Sequence, residues 1–167
     1  MAFVNVDPDE LRRLFPEYHI YAEESPELAG ELTRKEAGYL AEILTLAALQ
    51  AGKNVLVDGS LRDSTWYARY FARLRREFPL LRLAIIQVTA PKETVLARAE
   101  ARGKSTGRVV PRSLLLEVYE QVPKSVQALQ DLVDYHVTVN NPSDHQDVEL
   151  VSEHETWESF QSNWAQT

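Results

Sequence analysis

A chain of 167 residues that is 44% hydrophobic and 26% charged has the make-up of one globular domain with a sizeable core, which excludes wholesale disorder. It contains no cysteine and four scattered histidines, so a disulfide framework, a thiolate metal site and a cysteine nucleophile are excluded, as suits a reducing cytoplasm. The net charge of -7 argues against nonspecific binding to nucleic acid or an anionic membrane, and no apolar run approaches the roughly 18 residues of a membrane span.

The first predicted element is a strand at Phe3–Val6, ended by Asp7 and Pro8, and Asp7 is placed to cap a short helix over Asp9–Phe15. A long helix follows over Thr33–Ala51, with Leu40, Ile43, Leu44, Ala47 and Ala51 on one stripe and Gly52 closing it. Asn54–Val57 reads as a buried parallel strand, Ser64–Phe78 as a helix and Leu83–Thr89 as a third strand. Lys92–Arg102 is helical, Gly103–Gly107 is a polar loop, and Ser113–Val133 is a helix that Pro123 should kink or split. Tyr135–Asn140 is a strand, and Val148–Val151 adds an antiparallel edge after the Asn141-Pro142 turn. A last helix, Thr156–Trp164, has Trp157, Phe160 and Trp164 at helical spacing, a docking face rather than a cofactor box. Strand and helix alternate throughout, which predicts an α/β fold over residues 1–167 as a single domain, its mostly parallel sheet covered by helices on both faces.

Ligands of open α/β sheets bind beyond the carboxyl ends of the strands, so Asp7, Asp9, Asp58, Ser60 and Arg62 are expected to converge. Asp7 suits the cap, whereas Asp9 in the first helical turn can face the crevice as a base. Asp58, after V-L-V, is either the cap of the next turn or the carboxylate that holds a magnesium-bound water. Basic residues crowd the middle of the chain; Arg69–Arg76 read as a solvated helix surface, and Arg98 and Arg108 as an anion site. The phosphate loop G-x-x-x-x-G-K-[ST] is absent: Gly103-Lys104-Ser105 copies only its end and follows a helix, and Gly52-Lys53-Asn54 leads into a strand instead of out of one.

Three strings, V-N-V-D-P-D-E-L-R-R-L-F-P-E-Y from Val4, G-K-N-V-L-V-D-G-S-L-R-D from Gly52 and T-G-R-V-V-P at Thr106–Pro111, together with Q-V-P-K-S-V from Gln121, closely resemble the zeta-toxin-like kinases. The resemblance runs from Val4 to about Asn140, and more loosely through the Trp157 tail. It implies a P-loop NTPase-like fold of the nucleotide kinase type, ATP and Mg²⁺ as cofactors, and transfer of the γ-phosphate to a hydroxyl of a small molecule, the prototypical acceptor being UDP-N-acetylglucosamine. By resemblance Asp9 is the catalytic base, Asp58 contacts the substrate or the magnesium hydration shell, Ser60, Arg62 and Glu42 bind substrate, and Arg98 and Arg108 grip the transferring phosphates. Positive groups are needed there because phosphoryl transfer is catalysed mainly by positioning and charge neutralisation. An inhibitor protein of the antitoxin kind is an implied partner.

One departure stands out. In the family a central strand and the Walker loop precede the strand that here begins at Phe3, so this chain is expected to be N-terminally truncated, and inactive as a fragment, or to close its sheet halves abnormally. Each unmet buried backbone group would cost about 1 to 3 kcal/mol, against a typical domain stability of roughly 5 to 15 kcal/mol. The competing readings are a degenerate kinase domain that serves as a ligand- or protein-binding module, and a nucleoside or small-metabolite kinase on the same scaffold.

Overall fold

The computed structural model describes residues 2–107, 109–143, 146–151, 156, 158, 159 and 162. They pack as two compact units of interleaved sequence, Met1–Ser60 with Arg98–Val118, and Leu61–Ala97 with Tyr119–Thr167.

The first unit begins with strand β1 (Phe3–Val6), then helices α1 (Pro8–Arg12), α2 (Pro16–Glu24), α3 (Pro26–Leu32) and α4 (Arg34–Gln50), then strand β2 (Asn54–Val57). β1 and β2 pair in parallel, from Phe3 opposite Asn54 to Val6 opposite Val57. The expected helix over Asp9–Phe15 stops at Arg12, because Pro16 restarts the chain as α2 and Pro26 restarts it as α3. Both prolines occupy the first helical turn, followed by Glu17 and Glu27, and this start signal in F-P-E and S-P-E is what the sequence reading missed.

α4 buries Ala37, Ala41, Thr45 and Ala48, and not the predicted stripe; Ile43 lies 62% exposed. The face with the smallest residues wins because α4 packs against β1, β2 and α1, where small side chains allow close approach. The hydroxyls of Thr33 and Thr45 become buried there, and each donates back to a carbonyl four residues earlier, on Ala29 and Ala41. Gly52 closes α4 as expected, at φ 68°, while Lys53 N–H donates to the Ala48 carbonyl.

β2 is not the buried strand that V-L-V suggests. Leu56 is 50% and Val57 43% exposed, since among the described residues β2 has a neighbour along one edge only.

The second unit contains helix α5 (Ser64–Glu77) and strands β3 (Ala84–Thr89), β4 (Tyr135–Asn140) and β5 (Glu149–Val151). β3 and β4 are parallel, and β5 adds the expected antiparallel edge, with Val139 opposite Leu150. Phe71, Ile85, Val126 and Leu129 form the core, with Leu61, Tyr67, Tyr70, Leu83 and Val122 among the side chains packed on it. On β3, Ile85 is buried while Ile86 and Val88 remain 45% and 65% exposed beside an edge that no described strand covers.

Helices α6 (Lys92–Thr106) and α7 (Arg112–Leu129) each contribute residues to both units. The polar stretch expected to be a loop is the last turn of α6. Lys104 pairs with Glu100 at 2.6 Å, Ser105 and Thr106 donate to the Arg102 carbonyl, and the helix ends only at Gly107, whose φ is 72°. Pro123 does not split α7: the helix runs on to Leu129, then tightens into a 3-10 turn at Gln130–Leu132. The candidate helix Thr156–Trp164 and its three aromatic residues lie outside the described residues, apart from four isolated polar positions.

The starts of β3 and β4 are tied by Asp134. Its carboxylate accepts from Leu83 N–H at 2.7 Å and from Arg75 at 3.2 Å, and its own N–H donates to the Leu83 carbonyl. Burial opposes ionisation of this carboxyl, but the Leu83 bond and the Arg75 and Arg82 charges outweigh it and hold its pKa below the usual range. Because the folded value lies below the unfolded one, the stabilisation is present above the unfolded pKa and disappears as pH falls through the folded value. Asp134→Asn is expected to lower stability by about 1 kcal/mol at pH 7, after allowance for solvent screening of this partly exposed group. Denaturant titrations of both proteins should show that gap closing below about pH 4; a gap independent of pH would show that the charge contributes nothing.

Candidate active site

The two acid-tipped strands end side by side. Val6 and Val57 are in register, and Asp58 N–H donates to the Val6 carbonyl at 2.9 Å, extending the ladder one residue past β2. Asp7 and Asp58 therefore leave adjacent strands at the same level. Asp7 is the helix cap, its carboxylate accepting from the N–H groups of Asp9 at 2.8 Å and Glu10 at 3.4 Å. Asp9 follows in the first turn of α1 and pairs with Arg12 at 3.0 Å, while Arg12 also donates to the Gly30 carbonyl at 2.8 Å. That chain of contacts fixes Asp9 on a short helix that would otherwise be marginal. Asp58 and Ser60 are exposed to solvent, so neither is absorbed into packing.

Glu42 is half-buried on α4, the helix that packs against β1 and β2, and Arg98 is half-buried on α6; both belong to the same compact unit as Asp9 and Asp58. Arg62 belongs to the second unit, so the block D-G-S-L-R-D is divided between Ser60 and Leu61. Arg108 lies outside the described residues. The reading of Arg69–Arg76 as helix surface agrees with the ion pairs of Arg73 to Glu77 and Arg75 to Asp134.

The 61–63 turn carries features the sequence did not reveal. Leu61 has φ 52°, a left-handed conformation that costs a residue with a Cβ about 1 to 2 kcal/mol. The Arg62 carbonyl accepts from Ser125 Oγ at 2.9 Å and Gln121 Nε2 at 3.1 Å, which gives the Q-V-P-K-S-V block a local structural task. Asp63 caps α5 by accepting from Trp66 N–H at 2.9 Å. Burial, helped by the Asp63 charge, raises the pKa of the Tyr67 hydroxyl.

These caps bear on cofactor fit. A helix N-terminus binds phosphate through free N–H groups, but Asp7 takes those of Asp9 and Glu10 at the start of α1, and Asp63 takes that of Trp66 at the start of α5. The sequence likewise carries no phosphate-loop motif. Magnesium fits better. Among the described residues no three His, Cys, Asp or Glu side chains cluster as a metal cage, but Mg²⁺ commonly relies on one or two carboxylates, water and substrate phosphates. Asp58, exposed just past the end of β2, would be such a carboxylate.

Adjacent acid-ended parallel strands flanked by helices define an α/β protein. The sequence matches the zeta toxin family over residues 2–152, and the chain belongs to that family. Its fold is similar to a solved chain from the PezAT chromosomal toxin-antitoxin system of Streptococcus pneumoniae, with a TM-score of 0.63 at 18% identity over 95% of this chain. The present chain spans 64% of the length of that structure. No curated protein matches it. No helix among the described residues is long and apolar enough to cross a membrane.

Proposed function

We propose that this domain is the acceptor-side portion of an ATP-dependent phosphotransferase that moves a γ-phosphate to a hydroxyl of a small molecule. The observation that carries the reading is the pairing of β1 with β2, which brings the Asp7-to-Asp9 turn and Asp58 out of adjacent strand ends. Asp9 accepts the proton of the attacking hydroxyl, Asp58 orients a magnesium-bound water or the acceptor, and Ser60, Arg62 and Glu42 bind the acceptor. Arg98 and Arg108 neutralise charge on the equatorial oxygens of the transferring group. A UDP-amino sugar is the acceptor suggested by the resemblance, with a nucleoside or another small metabolite as the competing class. An antitoxin-like inhibitor is the protein partner that this reading adds, by analogy with the toxin-antitoxin origin of the similar structure.

What this sequence does not supply is a backbone cradle for the β- and γ-phosphates. Titration with fluorescent ATP and Mg²⁺ should therefore show weak binding by the chain alone. A strand and G-x-x-x-x-G-K-[ST] loop joined ahead of Ala2 should confer tight, magnesium-dependent binding. Tight binding by the unextended chain would overturn this division of labour. The self-capped starts of α1 and α5 favour a second reading, a binding module that keeps the acceptor site and performs no transfer. Turnover by the extended protein decides between them.

A further inference from the structure

Helix α4 is apolar on two sides. Ala37, Ala41, Thr45 and Ala48 fill the buried one, which serves the packing against β1, β2 and α1. On the other side Glu36, Leu40, Ile43, Ala47 and Gln50 recur at alternating steps of four and three residues and so line up as one seam. The middle of that seam is open: Ile43 is 62% exposed, Tyr39 beside it 66%, and Ala47 is exposed as well, while Leu40 is half-buried. A surface helix ordinarily turns charged and polar residues to the solvent. An apolar stripe with steps of four and three is instead the spacing by which one helix seats on another, and an open patch of this kind marks an interaction surface.

The occupant that fits the seam is the same seam run the opposite way. Counting outward from Ile43, an antiparallel pairing sets Glu36 of one copy against Gln50 of the second copy, and Tyr39 against Ala47. The Glu36 carboxylate then accepts from the Gln50 amide, and the bulky Tyr39 ring lies over a methyl group that leaves it room. A parallel pairing would set Glu36 against Glu36, Tyr39 against Tyr39 and Ala47 against Ala47, which opposes like charges, crowds one end and leaves a gap at the other. Antiparallel helices also place their dipoles in opposite directions.

We propose that this seam of α4 docks a second copy of the chain, antiparallel and two-fold symmetric about Ile43. Seventeen residues give a helix face about 25 Å long and about 10 Å across. That is well below the roughly 800 Å² per partner of a standard interface, so the pair is weak and reversible, in the micromolar range. The docking is independent of the phosphotransferase reading.

Sedimentation equilibrium of the chain from about 1 to 300 μM is expected to show a monomer passing reversibly into a dimer. Ile43→Glu sets two carboxylates face to face on the axis and should weaken the dimer about tenfold or more, with circular dichroism and melting unchanged because Ile43 is exposed. The chain has no cysteine, so introduced thiols report the orientation. In an equimolar mixture of Tyr39→Cys and Ala47→Cys, oxidised with molecular oxygen and a copper catalyst, the mixed disulfide dimer should exceed either self-linked dimer. A chain that stays monomeric up to about 300 μM overturns the proposal and leaves the seam to a different protein. A dimer that Ile43→Glu leaves undiminished overturns it too, as does a Tyr39→Cys variant that links chiefly to itself. Should Ile43→Glu fail to fold, the cysteine mixture decides by the same criterion.

Discussion

Asp9→Asn is expected to reduce phosphoryl transfer by about 10²- to 10⁴-fold in the loop-extended protein while leaving ATP affinity unchanged, the range expected when a positioned general base is removed. The substitution keeps the shape of the side chain and removes its capacity to take a proton. The fold should survive, because Asp7 continues to cap α1 and Arg12 keeps its bond to the Gly30 carbonyl. Losing the Asp9 to Arg12 pair removes one partly exposed ion pair, a contribution of at most about 1 kcal/mol. Steady-state transfer to a hydroxyl acceptor, measured beside ATP binding and thermal melting, separates these effects. Unchanged turnover would take Asp9 out of the base role, and a lost melting transition would mean that its task is to hold α1.

Leu129→Ala should cost about 2 to 5 kcal/mol of stability, a large share of the roughly 5 to 15 kcal/mol that holds a domain together. Leu129 is fully buried and shares the second unit's core with Phe71, Ile85 and Val126. It stands where α7 ends and the 3-10 turn begins. Denaturant unfolding followed by circular dichroism gives the measurement. A loss below about 1 kcal/mol would show that the cavity collapses or that the unfolded chain keeps this cluster. Among the described residues, the buried apolar side chains of the first unit are smaller: Val6, Ala29, Ala37, Ala41 and Ala48.

All of the predicted strands form within a residue or so of their expected limits, because alternation of β-branched residues with turn residues is a local signal. Asp7 as a cap and Gly52 as a helix terminator were equally legible, each determined by hydrogen bonds within a few residues. Gly103–Thr106 was misread because composition suggested a loop, whereas the Glu100 to Lys104 pair and the back-bonded hydroxyls of Ser105 and Thr106 carry α6 to Gly107. On α4 the larger apolar residues pointed to one stripe, but close packing against β1, β2 and α1 selected the alanine face.

The candidate site divides in the same way. Acidic residues after short apolar runs could be picked out from the order of residues alone, as could the family strings, since both are written along the chain. Which strand lies beside which is not written there. The adjacency of Asp7 and Asp58 depends on β1 pairing with β2 across nearly fifty intervening residues, and the clamp on Arg62 depends on α7 reaching a turn about sixty residues earlier. Local propensity and capping chemistry settle what each segment is; only long-range hydrogen bonding and packing decide which charged groups meet.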